Sequence, residues 1–191
     1  MKNIILASKS PRRKELLGKI GLKFKVIESE YREIIDSRLN PHELVEKLSL
    51  EKAKIVHKNH KNSIIIAADT IVVCDGRVLG KPKDKKDAKQ MLGFLSGKVH
   101  LIITGLTIID GELNKIITRS EETKVYMRKI SPKEIDSYLK TKEPYDKAGA
   151  YAIQEIGSIF IEKIEGDYLN AVGLPIYSLV KELKNLGVEV L

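Results

Sequence analysis

Residues 64–74 read Ile64-Ile65-Ile66-Ala67-Ala68-Asp69-Thr70-Ile71-Val72-Val73-Cys74, an apolar run interrupted once, by a carboxylate and a hydroxyl, and followed by Asp75-Gly76. Unbroken apolar residues with this β-branched content are what a strand covered on both faces requires. Asp-Gly is a pair that two-residue hairpin turns select. Such a strand needs helices on its faces, and the flanking sequence supplies them. Upstream, Asn40, Pro41 and Glu43 provide an N-cap, a first helical residue and a third-position carboxylate for a helix reaching about His57. Downstream, Asp84 or Asp87 caps a helix whose Ala88, Met91, Leu92 and Leu95 recur at helical spacing, with Gly97 past its end.

Working outward, residues 3–7 form a short apolar strand, and Ser10-Pro11 opens a helix through Leu16, Leu17 and Ile20 that Gly21 ends. Residues 24–27 read as a second strand. Residues 101–109, the Asp110-Gly111 turn and residues 113–127 predict a long antiparallel hairpin. Ser131-Pro132-Lys133-Glu134 starts another helix with a capping box, and a last helix covers about 175–186 before Gly187. The two hairpins break a purely alternating βαβ order. The expected fold is therefore α/β, an elongated mixed β-sheet flanked by helices, with residues 1–191 as a single domain or as two lobes around a central cleft.

Composition narrows the function classes. At 191 residues the chain buries enough surface to need no disulfide or metal staple. Cys74 is its only cysteine, so no internal bridge forms. Without a basic-then-apolar leader or an apolar run of the ~20 residues a span needs, the chain is expected in the cytoplasm, with no membrane partner. Lys and Arg total 34 against 26 Asp and Glu, but only seven of the cations are Arg, and Trp is absent. Base readout and stacking favour Arg and aromatics, so a nucleic-acid partner is not expected, whereas small anions are favoured.

Function is more legible where residues are wrong for structure alone. Arg12 and Arg13 sit in the opening turn of a helix, where the macrodipole already concentrates positive charge. An anion would reverse that cost, and Ser8, Ser10 and the first N–H groups would complete a phosphate cradle; the other reading is that both arginines point into solvent. Lys52 falls on the apolar stripe of Leu44, Val45, Leu48, Ile55 and Val56, so its ammonium either snorkels or meets an anion. Asp69 lies in the decisive apolar run, where a carboxylate carries a large desolvation cost unless a cation, a metal or dense hydrogen bonding meets it. The pattern also suggests that the strand breaks there, and strand ends are where open α/β sheets place ligands.

Gly80-Lys81-Pro82 adds a cation in a stiff turn, and residues 143–151 form a loop too charged and too rich in Gly and Ala for a core strand. Gln154 follows that loop, and a lone Gln says little by itself. There is no Walker-type or G-x-G-x-x-G loop, no nucleophile elbow, and no zinc set from His42, His57, His60, His100 and the one cysteine. What remains is a set of anion binders, Arg12, Arg13, Lys52, Lys81 and Lys147, with Glu33, Asp69 and Asp84 as candidate ligands for a hard divalent ion. That set suits phosphoryl chemistry with Mg²⁺ or Mn²⁺.

Six motifs in order then resemble the Maf family of nucleoside triphosphate pyrophosphatases. They are Ser8-Lys9-Ser10-Pro11-Arg12-Arg13, Ala68-Asp69-Thr70, Gly80-Lys81-Pro82, Ser96-Gly97-Lys98-Val99-His100 with Thr104-Gly105, the segment from Glu143 to Gln154, and Asn170-Ala171-Val172-Gly173-Leu174-Pro175. The resemblance implies an inosine-triphosphatase-like fold and hydrolysis between the α and β phosphates, with a divalent cation, to a monophosphate and pyrophosphate. The Glu143 to Gln154 segment is similar to the branch acting on dTTP and UTP; the branch acting on 7-methyl-GTP differs at the positions of Asp146, Lys147 and Gln154. Modified pyrimidine triphosphates are a further implied substrate class. Carried over residue by residue, Asp69 becomes the proton acceptor, and Arg12, Thr70 and Gln154 become tied to substrate choice. The resemblance also implies a homodimer. A nucleotide-binding regulator of cell division and septum formation, without turnover, is the alternative reading. Ala171 stands where the family usually has Val, and Leu101-Ile102-Ile103 replaces a more polar stretch; both look like packing changes.

Overall fold

The structure is a computed structural model that describes residues 2–32, 34–36 and 38–190 of the chain. Strand β1 (Asn3–Leu6) leads into helix α1 (Pro11–Lys19), and β2 (Lys25–Val26) precedes α2 (Pro41–Asn59). Then come β3 (Ser63–Cys74), β4 (Arg77–Leu79), α3 (Lys85–Leu95) and the long pair β5 (Val99–Asp110) and β6 (Lys115–Met127). Helix α4 (Pro132–Tyr138), three 3₁₀ turns, β7 (Ile161–Gly166), α5 (Tyr168–Val172) and α6 (Ile176–Asn185) complete the chain. The strands form one mixed sheet in the order β2-β1-β3-β5-β6-β7, with β4 also pairing β3. β1 runs parallel to β2 and β3, while β3–β4 and β6–β7 are antiparallel. Among the described residues no helix is long and apolar enough to cross a membrane.

The chain divides into two compact units. One comprises Met1–Asp69, Thr104–Glu121 and Gly173–Leu191; the other comprises Thr70–Ile103 and Glu122–Val172. The three long strands belong to both, and β3 passes from the first unit to the second at the peptide bond joining Asp69 to Thr70. In the first unit, Ala53 and Val56 of α2 pack with Ile5 and Ala7, with Ile65 and Ala67 of β3, and with Ile109 of β5. Local chemistry places α2: Asn40 accepts from the Glu43 amide while the Glu43 carboxylate accepts from the Asn40 amide, a complete capping box behind Pro41. In the second unit, Ser131 and Glu134 cap α4 in the same way, and the rings of Tyr138 and Phe160 meet edge to face at 5.1 Å.

Two sequence expectations change. The strand does not break at Asp69-Thr70: β3 runs unbroken from Ser63 to Cys74, and every residue but Thr70 is buried. Ladder hydrogen bonds are made by the backbone, so a polar side chain interrupts the hydrophobic pattern without ending the strand. The Asp110-Gly111 pair is not a two-residue turn. Asp110 accepts from the amides of Glu112 and Leu113, both at 3.0 Å, and the left-handed residue is Asn114 (φ 49°). Gly111 is required for another reason, because a Cβ there would run into the Lys61 carbonyl. The sequence leaves β7 and α5 unassigned, because Ile161-Glu162-Lys163-Ile164-Glu165-Gly166 of β7 has no clean period, and half of that strand is exposed.

Candidate active site

The segment after β1 folds as a cap. Ser10 is the N-cap of α1, its hydroxyl oxygen accepting from the Arg13 amide at 3.5 Å, and Pro11 occupies the first helical position. No acidic residue lies in that first turn. The buried Ser8 hydroxyl accepts from the Ser10 amide at 3.2 Å and from Arg13 Nη1 at 3.4 Å. Arg13 Nε donates to the Gly173 carbonyl at 2.7 Å, which turns the guanidinium back over the strand end. Arg12 and Arg13 are both half-buried. The structure thus brings Ser8, Ser10 and Arg13 together, and it gives Arg13 a held orientation in place of a free run into solvent.

Lys52 and Asp69 form a second assembly. Lys52 is 8 % exposed in the middle of α2 and Asp69 is 5 % exposed in the middle of β3. The Lys52 ammonium donates to Asp69 Oδ1 in a buried ion pair. This meeting explains both sequence anomalies at once: the cation on the apolar stripe of α2 is the counter-charge of the carboxylate in the apolar strand. Each charge would be costly to bury alone, and the pair fixes the carboxylate in one orientation.

The remaining residues belong to the second unit. Thr70 is half-buried, the next residue along β3 from Asp69. Lys81 is exposed in the turn after β4, beside the buried Pro82. The backbone joins that turn to the 143–157 loop, since the Gly149 amide donates to the Gly80 carbonyl at 3.0 Å. Gly149 (φ 69°) and Ala150 (φ 62°) are successive left-handed residues. A Cβ on Gly149 would lie 3.1 Å from Val72 Cγ2 and 3.3 Å from Leu95 Cδ1, so a side chain there would crowd its neighbours as well as strain the left-handed backbone. Lys147 is only 6 % exposed. Its ammonium donates to Asp146 Oδ1 at 2.5 Å and to the Glu143 carbonyl at 3.3 Å, with Glu155 Oε2 at 3.8 Å. Gln154 is half-buried, and its Oε1 is buried with no hydrogen-bond partner. A buried amide oxygen in that condition is a place where a donor is wanted.

For a metal, Glu33 lies outside the described residues. Asp84 is exposed, its Oδ1 accepting from the Asp87 amide as the N-cap of α3. Among the described residues no three His, Cys, Asp or Glu side chains gather into a cluster. Of the two described candidate ligands Asp69 is the buried one, and hard divalent ions such as Mg²⁺ are commonly held by one or two carboxylates plus substrate phosphates and water.

Two features carry more weight than the sequence assigned them. His100 is 1 % exposed, and its Nε2 lies 2.6 Å from the hydroxyl of Tyr151, in the segment that includes Gln154. Burial lowers the His100 pKa to about 4 and pushes the Tyr151 phenol up, so both groups stay neutral at physiological pH. The other feature is Glu143, a buried carboxylate at the head of the loop; in the sequence it stood out only as the first residue of the segment ending at Gln154.

A mixed sheet flanked by helices, with a lysine of α2 paired to a buried aspartate of β3, defines an α/β protein. Its fold is shared with the solved Ham1 protein of Staphylococcus aureus, at a TM-score of 0.57 and 13% identity, with 97% of this chain and 100% of that one covered. Within that fold class, this chain belongs to the Maf family, matching the Maf-like protein description over residues 3–186. It is 48% identical over 190 residues to a protein of Bacillus anthracis (strain CDC 684 / NRRL 3495) named dTTP/UTP pyrophosphatase, covering 100% of this chain and 98% of the relative. A Bacillus mycoides (strain KBAB4) protein of the same name matches with the same identity and coverage.

Proposed function

We propose that this chain hydrolyses dTTP and UTP, and modified pyrimidine triphosphates of the same shape, between the α and β phosphates to give the monophosphate and pyrophosphate. The observation that carries the reading is the full-length 48% identity to chains named for that reaction. Water attacks the α phosphorus, the bond to the bridging oxygen breaks, and pyrophosphate leaves with the negative charge. Asp69 takes the proton of the attacking water on a carboxylate oxygen, and the Lys52 ammonium keeps that carboxylate oriented. Arg13, Lys81 and Lys147 offset the charge of the triphosphate, and the Ser8 and Ser10 hydroxyls with the amides of α1 bind phosphate oxygens. A divalent ion, Mg²⁺ or Mn²⁺, for which Glu33, Asp69 and Asp84 are the candidate ligands, would supply further neutralisation of the phosphates.

Base choice rests in this reading on Gln154, whose amide matches the adjacent donor and acceptor of a uracil or thymine edge, and whose buried Oε1 wants a donor such as a pyrimidine N–H. Arg12, Thr70 and Asp146 contribute to the same choice. The enzyme works as a homodimer in the cytoplasm. The test is pyrophosphate release from dTTP, UTP, CTP, ATP and GTP with Mg²⁺. The expected result is a clear preference for dTTP and UTP; preferential turnover of purine triphosphates would overturn the base assignment, and binding without turnover would overturn the enzymatic one.

A further inference from the structure

The 143–157 loop carries Asp146, Lys147 and Gln154, and it is closed by one residue that the proposed chemistry does not use. Glu143 is 8 % exposed and carries a carboxylate. Its Oε1 accepts from the Tyr138 hydroxyl at 2.7 Å and from the Gly157 amide at 2.9 Å, and its Oε2 accepts from the Ile156 amide at 2.9 Å. The same residue's backbone carbonyl accepts from the buried Lys147 ammonium. One end of the loop therefore holds the other through the side chain and holds Lys147 through the main chain. Gly157 is pressed against this clasp: a Cβ there would lie 2.7 Å from the Ala152 carbonyl and 2.8 Å from the Tyr138 hydroxyl. The Tyr138 phenol is pushed above its ordinary pKa, first by burial and then by Glu143, so it remains a donor.

We infer that Glu143 is a positioning residue for base choice, its carboxylate clasping the amides of Ile156 and Gly157 so that Gln154, two residues earlier, faces the pyrimidine in one fixed place. This rests on the pyrimidine triphosphate reading above and names the device that sets its selectivity. Structure explains why a carboxylate is needed. Two backbone N–H groups and a phenol all donate, and only a group with two accepting oxygens satisfies all three without offering a donor of its own. A carboxamide at this position has to turn its NH₂ toward at least one backbone N–H, which releases that strand of the clasp. Lys147 keeps its carbonyl partner in that case, so the binding of phosphate changes less than the reading of the base.

Glu143→Gln tests this, with pyrophosphate release from UTP, dTTP and CTP followed at a range of concentrations with Mg²⁺. KM for UTP and dTTP is expected to rise about tenfold, the worth of one charge-assisted hydrogen bond. The UTP-over-CTP preference in kcat/KM should shrink by a comparable factor, with kcat held within about twofold. Tyr138→Phe, which removes one donor and leaves the carboxylate, should shift both quantities less and in the same direction. A residue that only stabilised the fold would lower the active fraction, cutting the apparent kcat for all triphosphates alike at constant KM and constant preference; that outcome overturns the inference. Amide exchange at Ile156 and Gly157 needs no substrate and should speed up in Glu143→Gln; unchanged exchange overturns the clasp itself. Wild-type protein that turns over no pyrimidine triphosphate sinks the function reading instead, so the two failures are distinguishable.

Discussion

Replacing Lys52 with Met keeps the length and apolar stem of the side chain and deletes the ammonium that Asp69 meets inside the protein. Both partners are buried, at 8 % and 5 % exposure, so solvent cannot take over the role of the lost cation. Breaking a buried pair by removing one partner costs about 3–5 kcal/mol, against about 1 kcal/mol or less for an exposed pair. For a chain of this length each kcal/mol moves the midpoint by about 2–4 °C, so Lys52→Met should melt about 10 °C below wild type. Urea unfolding at pH 7, followed by circular dichroism, reads the free energy directly. The double variant Lys52→Met/Asp69→Asn, which removes both charges, should recover part of the loss, and the cycle closed with Asp69→Asn isolates the coupling. A Lys52→Met protein within about 1 kcal/mol of wild type would refute the reasoning, since that is the value of a solvated pair.

Two further outcomes follow from buried groups. His100 titrates at about 4 in the folded chain against about 6.5 when exposed, so the unfolded chain takes the proton first as pH falls. Its stabilisation is therefore fully present above about pH 6.5 and is lost as pH falls toward 4, a swing of about 3 kcal/mol. His100→Phe should flatten the stability profile over that window, and equal slopes for the two proteins would contradict the burial account. Gly149→Ala should lower unfolding free energy by about 2 kcal/mol, combining a left-handed alanine with the crowding of Val72 and Leu95; an unchanged urea midpoint would count against it.

What the sequence revealed, and what it withheld, divides along the range of the interactions. Both capping boxes were legible because Asn40 with Glu43, and Ser131 with Glu134, complete their bonds within a few residues. The Asp75-Gly76 turn was legible for the same reason, both residues adopting positive φ. Lys52 and Asp69 each stood out as an anomaly, but neither pattern alone named the other as its partner, because 17 residues of chain separate them and only the packing of α2 on β3 closes that distance. Gly111 was misread because its requirement comes from the Lys61 carbonyl, far away in sequence. Glu143 was named only as the first residue of the segment ending at Gln154, with no role of its own. Its donors are a phenol in the preceding helix and two amides 13 and 14 residues later, and nothing in the composition of the loop distinguishes that carboxylate from a solvated one.

The central claim is that Asp69 is the group that accepts the proton from water during hydrolysis. Asp69→Asn preserves size, shape and a hydrogen-bonding partner for Lys52 while removing the basic oxygen. The decisive measurement is the rate of pyrophosphate release from saturating UTP with Mg²⁺, on protein shown by circular dichroism to be folded. A fall of about 10²–10⁴-fold is expected for loss of a positioned general base. Turnover within a few-fold of wild type would contradict the account.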